Sequence, residues 1–143
     1  MTNKENFDLS QVSTDDVKKF WQSKPLSSEG IPHELGSPEF FKLYNSQREA
    51  IEPIPYSYRL HEYTDFKGKK VLDVGSGNGY VLSKYASEGA DVHGIDITEA
   101  GIDLCRKRFK YLNLKGNFQV ADAQEIPFPD DTFDCVCSMG VLH

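Results

Sequence analysis

From Lys70 onward the chain alternates short apolar runs with stripes at helical spacing. Lys70–Val74, Asp91–Ile97, Phe118–Ala121 and Phe133–Ser138 read as four strands, rich in Val, Ile, Leu and Phe and bounded by glycine or polar turns. Between the first two, Val81, Leu82, Tyr85 and Ala86 recur at helical spacing over Asn78–Glu88, and Gly89 supplies the stop. Between the second and third, Thr98 caps a helix whose inner stripe is Ile102, Cys105, Phe109 and Leu112. Arg106, Lys107, Arg108 and Lys110 are assigned to its solvated outer face. Strand and helix alternating at this pitch predict right-handed βαβ units, hence an α/β domain with a parallel sheet. Strands of such a sheet are covered on both faces, so clean in–out alternation is not expected.

The first 65 residues have a different texture and are read as a helical cap preceding a domain over 66–143. Ser13 or Thr14 starts a helix to about Ser23, with Asp15 and Asp16 in the first turn and Val17, Phe20 and Trp21 on one face. Ser37-Pro38-Glu39 is a second start signal, followed by Phe40, Tyr44, Gln47 and Ile51 at helical spacing up to Pro53. A weaker third helix is expected over Tyr56–Asp65. The Phe40, Phe41, Tyr44 and Trp21 aromatics suit packing, with a substrate pocket as the alternative.

Composition narrows the function classes. A formal net charge of −6 over 143 residues is a poor prior for a protein that grips nucleic-acid backbones, which needs a basic face. No apolar stretch approaches the roughly 20 residues of a membrane span, and no apolar signal segment follows Met1, so a cytoplasmic protein is expected. Three cysteines cannot form a complete disulfide set. Cys135 and Cys137 share a strand face, too few for a zinc site; they and Cys105 are expected in the core, and no metal is expected.

In an open parallel sheet, ligands bind beyond the carboxyl ends of the strands. Four features fall there. Asp73-Val74-Gly75-Ser76-Gly77-Asn78-Gly79 is a glycine turn between strand and helix. Asp96 ends the second strand, 21 residues after Gly75, where a carboxylate can accept from both hydroxyls of a ribose. Asp122 and Ala123 follow the third strand, and Ser138-Met139-Gly140 ends the fourth. Each has a plain structural alternative: a tight turn, a helix cap, a loop acid, a strand end. A dinucleotide fingerprint would place glycine where Tyr80 stands, which counts against a nicotinamide cofactor.

Together these features resemble the class I S-adenosylmethionine-dependent methyltransferases, in their small-molecule branch near the ubiquinone and sterol enzymes. Val71–Gly79 matches that family's first motif, Asp96 the acid of its second strand, and Ala121–Asp130 and Phe133–Ser138 its third and fourth motifs. The resemblance covers about residues 66–143 and implies a Rossmann-like sheet of which about four of seven strands are present. It implies S-adenosyl-L-methionine as cofactor: Gly75, Ser76, Gly77, Asn78 and Gly79 around its methionine part, Asp73 toward its ammonium, Asp96 on the ribose, Ile97 on the adenine, Asp122 and the Ala123 N–H at the adenine edge, and Ser138 with Met139 near the methionine end. The implied reaction is methyl transfer to a small-molecule acceptor. A non-catalytic module of the same fold is the alternative. No Asn-Pro-Pro-Tyr type motif follows the fourth strand, so nucleic-acid bases are disfavoured as acceptors. No base is assigned, and His143 is a candidate only. The sequence stops just after the fourth-strand motif, as a truncated gene would, so the chain is expected to bind cofactor weakly, if at all, and not to turn over.

Overall fold

A computed structural model describes residues 12–25 and 30–141. Its elements, in chain order, are α1 (Thr14–Ser23), α2 (Pro38–Ile51), α3 (Ile54–His61), a 3-10 turn (Tyr63–Phe66), β1 (Lys70–Val74), α4 (Tyr80–Ser87), β2 (Asp91–Asp96), α5 (Glu99–Tyr111), β3 (Asn117–Val120) and β4 (Cys135–Cys137). The four strands form one parallel sheet in the order β3-β2-β1-β4. The α/β expectation therefore holds, with all four strands in place.

Local chemistry explains the helix starts. Ser13 caps α1 in a reciprocal capping box with Asp16. Ser37 accepts from the Phe40 N–H ahead of Pro38 at the first position of α2. Thr98 accepts from the Gly101 N–H to start α5. The third helix begins two residues before the expected Tyr56, and Tyr63–Phe66 breaks away as a 3-10 turn after Glu62, which adopts a left-handed conformation. The fourth strand is shorter than predicted; the Lys70 N–H to Asp134 Oδ2 bond (2.8 Å) and its backbone counterpart, Asp134 N–H to the Lys70 carbonyl (2.9 Å), fix where it joins β1.

Period-two alternation sorts the strands between two faces. Val71 and Val92 face α4 and α5, in a core with Tyr63, Tyr80, Leu82, Tyr85, Cys105 and Phe109. Leu72, Val74 and Ile95 face the other way and are covered by Ala121, Ala123, Phe128 and Phe133. Ile31, Phe40, Phe41 and Leu104 make a third cluster that seats α2 on α5. These aromatics of α2 pack rather than line a pocket.

Four expectations need correction. Arg108 is on the inner face of α5, 1% exposed, not on the solvated one. Leu112 sits past the helix end and is exposed, and Ile51, the last residue of α2, is 83% exposed. Cys135 and Cys137 are half-buried because β4 lies at the sheet edge, whereas Cys105 is fully buried. Among the described residues no helix is long and apolar enough to cross a membrane, and no cluster of three metal-ligating side chains occurs.

Candidate functional site

The carboxyl ends of the strands carry the features singled out in the sequence. β1 ends in Val74 and runs into the glycine turn, whose Gly75 and Ser76 N–H groups both donate to the Ile95 carbonyl of β2 (2.8 and 2.9 Å). Gly75, Gly77 and Gly79 have φ of +79°, +50° and +74°, a region that side chains with a Cβ rarely adopt. Their surroundings differ. A Cβ on Gly79 would meet Cys105 Sγ at 2.5 Å, so that glycine lets the turn sit on α5. A Cβ on Gly75 would clash with Val141. A Cβ on Gly77 would meet nothing within 4 Å, so the turn presents bare backbone to open space there.

Asp96 closes the other side. Its Oδ2 accepts from the Gly77 N–H (3.0 Å), and its Oδ1 accepts from the N–H and hydroxyl of Thr98 (2.9 and 2.7 Å). The carboxylate is thus aimed across the turn and held from behind, while keeping acceptor capacity for a ligand. The Ala121 N–H donates to the Asp96 carbonyl (2.9 Å), which carries β3 and the adjoining Asp122 to the same edge. Asp122 Oδ1 accepts from the Gln124 N–H (2.9 Å), and both Asp122 and Ala123 are half-buried. Ile97 is half-buried beside Asp96. On the β4 side, the Ser138 hydroxyl donates to the Val74 carbonyl (3.0 Å), and Met139 is exposed next to it.

Under the turn lies Asp73, 3% exposed, with Oδ1 lacking any partner. Burial raises its pKa to about 7; the Cys137 thiol, hydrogen-bonded to it, opposes that rise, and the Asp96 charge adds to it. The Cys137 thiol is itself pushed up, by burial first and then by Asp73. Two further buried polar atoms lack partners, Ser76 Oγ and Asn78 Nδ2, both in the same turn. Buried polar groups are nearly always paired, so each of these orphans calls for a reason, and their surroundings differ. Ser76 does not face the open side: its hydroxyl would lie 3.0 Å from a Cβ on Gly94, so it points toward the sheet and α5. Asn78 is likewise turned inward, its Oδ1 accepting from the Tyr80 N–H (3.1 Å) and from Arg108 (3.3 Å).

Two residues of the site escaped sequence reasoning. A Cβ on Gly101 would stand 2.8 Å from the Asp96 carboxyl carbon; a glycine inside a helix, otherwise unfavourable, was its signal. Arg108 follows Gly101, Leu104 and Cys105 at helical spacing, and that spacing alone placed it inside. A cavity of about 600 Å³ lies elsewhere, between the end of α5 and β3, lined in part by Phe109, Lys110, Phe118 and Phe128.

Comparison with known proteins agrees with this geometry. The family described as "Methyltransferase domain" matches residues 71–143, just over half of the chain. A fatty-acid O-methyltransferase of Mycolicibacterium smegmatis is 38% identical over 101 residues, 66% of this chain and 36% of that protein. A phthiotriol/phenolphthiotriol dimycocerosates methyltransferase of Mycobacterium tuberculosis is 30% identical over 144 aligned residues, 92% of this chain and 53% of that one. The chain thus spans between about a third and a half of the length of these relatives. Magnesium protoporphyrin IX methyltransferase of Synechocystis, solved with bound SAH, shares the fold with a TM-score of 0.66 at 16% identity, over 90% of this chain and 59% of that chain. With the first-motif turn, the strand-end acids and the sheet order in place, this chain belongs to the methyltransferase domain family.

Proposed function

We propose that this chain carries the S-adenosylmethionine-binding part of a methyltransferase, and that the intact protein methylates a small-molecule acceptor. One observation carries it: a buried carboxylate, Asp73, keeps an unpartnered oxygen beneath a glycine turn whose middle residue is open to a ligand. A cation with hydrogen-bond donors matches that oxygen, and the ammonium of the cofactor's methionine part is such a group. When bound, the cofactor supplies an already activated methyl group on its sulfonium.

The chain's own residues then have simple tasks. Gly75, Gly77 and Gly79 let the backbone approach the methionine part without side-chain bulk. Asp96, held by Gly77 and Thr98, accepts from the ribose hydroxyls, and Ile97 packs on the adenine. Asp122 and the Ala123 N–H meet the adenine edge, and Ser138, tied to the Val74 carbonyl, borders the methionine end. The described N-terminal helices, α1 to α3, act as a cap over this half-domain. Their share of the work is alignment and exclusion of water. A base is needed only for an acceptor that arrives protonated; His143, the candidate from sequence, lies outside the described residues.

The relatives' names, a fatty-acid O-methyltransferase among them, support a small-molecule acceptor attacking through oxygen. The net charge of −6 favours such an acceptor over nucleic acid, and the same composition supports a cytoplasmic setting. A nicotinamide cofactor is disfavoured because Tyr80 fills the position where its fingerprint needs glycine, and the phenol is engaged with Glu49 (3.1 Å). The test is transfer of label from methyl-tritiated S-adenosylmethionine, by the intact protein, to a panel of fatty acids and phenols. Transfer to one of them that is lost in Asp96→Ala supports the proposal. Absence of transfer, with no saturable binding of the cofactor, refutes it.

A further inference from the structure

Arg108 is the largest fully buried side chain, and no ion pair among the described residues includes it. A guanidinium taken out of water without a carboxylate is costly unless its donors and its charge are met in other ways. Here they are met by the glycine turn and by α2. Nε donates to the Asn78 carbonyl (2.8 Å), Nη2 to Asn78 Oδ1 (3.3 Å), and Nη1 to Asn45 Oδ1 on α2 (2.7 Å). The guanidinium carbon lies 4.5, 5.2 and 5.5 Å from the ring centres of Phe41, Tyr44 and Tyr80, so three π faces enclose the charge. Burial lowers its pKa to about 10, which leaves it protonated at neutral pH.

The geometry fixes two features of the turn. The peptide joining Asn78 to Gly79 is trans, so its C=O and N–H point in opposite directions. Arg108 holds the C=O toward α5; the N–H is thereby aimed at the Ser76 carbonyl, to which it donates at 2.8 Å, closing the turn. Gly79 itself can adopt many backbone angles, so without this anchor the Ser76 bond alone holds the peptide plane. The second feature is the Asn78 carboxamide, whose oxygen Arg108 and the Tyr80 N–H both claim. The same guanidinium reaches Asn45, and Tyr80 reaches Glu49 one helical turn further along α2, so the turn is tied to α2 at two points.

We infer that Arg108 is a positioning residue that sets the Asn78–Gly79 peptide of the cofactor turn and makes α2 and that turn move as one body. This rests on the cofactor assignment proposed above, and the test separates the two. The ¹⁵N-labelled chain is titrated with S-adenosylhomocysteine while amide resonances are followed, in the native protein, Arg108→Lys and Asn45→Ala. Lysine keeps the charge but has no planar fork to reach both oxygens of Asn78 and the amide of Asn45. The expected result for Arg108→Lys is native far-ultraviolet circular dichroism, displaced Gly77 and Gly79 amides before ligand is added, and a Kd raised about tenfold. Asn45→Ala, which leaves the turn contacts intact, is expected to displace the Gly79 amide less and to raise Kd about threefold; it carries the test if the lysine variant does not fold. Unmoved Gly77 and Gly79 amides in the folded variant overturn the inference, as does a Kd within twofold of native for Arg108→Lys. If neither the chain nor the intact protein takes up S-adenosylhomocysteine, the cofactor assignment fails, and the ligand-free amide positions still decide the role of Arg108.

Discussion

Replacing Asp73 by Asn should stabilise the ligand-free protein and damage its site. The carboxylate is buried, one oxygen has no partner, and its pKa stands at about 7 against an ordinary 3.8. A folded-state pKa above the unfolded one means that the fold binds the proton more tightly. Stability is therefore lost as pH rises from about 4 to about 7 and is flat above. The shift of about three units corresponds to about 4 kcal/mol at pH 8 and to between about 1 and 2 kcal/mol at pH 5. Asn is close to isosteric and carries no charge, so Asp73→Asn should exceed the native protein in stability by up to about 4 kcal/mol at pH 8, with a gap about half that or less at pH 5. Urea unfolding followed by circular dichroism at the two pH values measures both. The same variant should lose most of its affinity for S-adenosylmethionine, because the carboxylate proposed to meet the ammonium is replaced by a neutral amide. A gap that does not change with pH, or a variant less stable than native at pH 8, would refute the reasoning.

The glycines should separate into two kinds. Gly79→Ala must both hold φ at +74° and displace Cys105, so a loss of about 2–4 kcal/mol in unfolding free energy is expected. Gly77→Ala has open space and only a positive φ to bear, so it should cost about 1 kcal/mol while weakening cofactor binding at least tenfold; equal stability losses at the two positions would contradict this. Gly101→Ala gains helix propensity but pushes against the Asp96 carboxylate, so amide exchange should show a shifted Gly77 N–H and calorimetry a weaker cofactor. Ser37→Ala removes the cap of α2 and should cost about 1 kcal/mol in chemical unfolding, with binding little changed.

Much of the fold was legible because periodicity reports it directly. The four apolar runs became four strands in one parallel sheet, and Ser37-Pro38 and Thr98 started helices where their side chains can meet free N–H groups. What escaped depends on neighbours distant in sequence. Arg108 reads as one of four basic residues within five positions, yet its partners are Asn45 and Asn78, 63 and 30 positions away. Composition favoured the solvated face, while the spacing from Cys105 pointed inward. β4 is shorter than its apolar run because among the described residues it has one neighbour, β1, and Val136 is 58% exposed.

The candidate site was legible as a set of positions but not as a set of directions. Asp96 and Gly77 stand 19 residues apart, and only the fold shows the carboxylate accepting from that N–H. Ser76 and Asn78, grouped with the glycines by sequence, turn inward and shape the loop from behind. Asp73 was assigned toward an ammonium by resemblance; its burial and its lone unpartnered oxygen supply the physical ground for that assignment.

The central claim is that the strand ends hold one adenosyl sulfonium. Amide resonances of the labelled chain, followed during titration with S-adenosylmethionine and separately with NAD, test it most directly. Saturable shifts confined to Gly75–Gly79, Asp96–Thr98 and Asp122–Ala123 with the methyl donor, and none with the dinucleotide, are the predicted outcome. Shifts at those amides with NAD alone, or a methyl donor that perturbs only residues away from the strand ends, would contradict it.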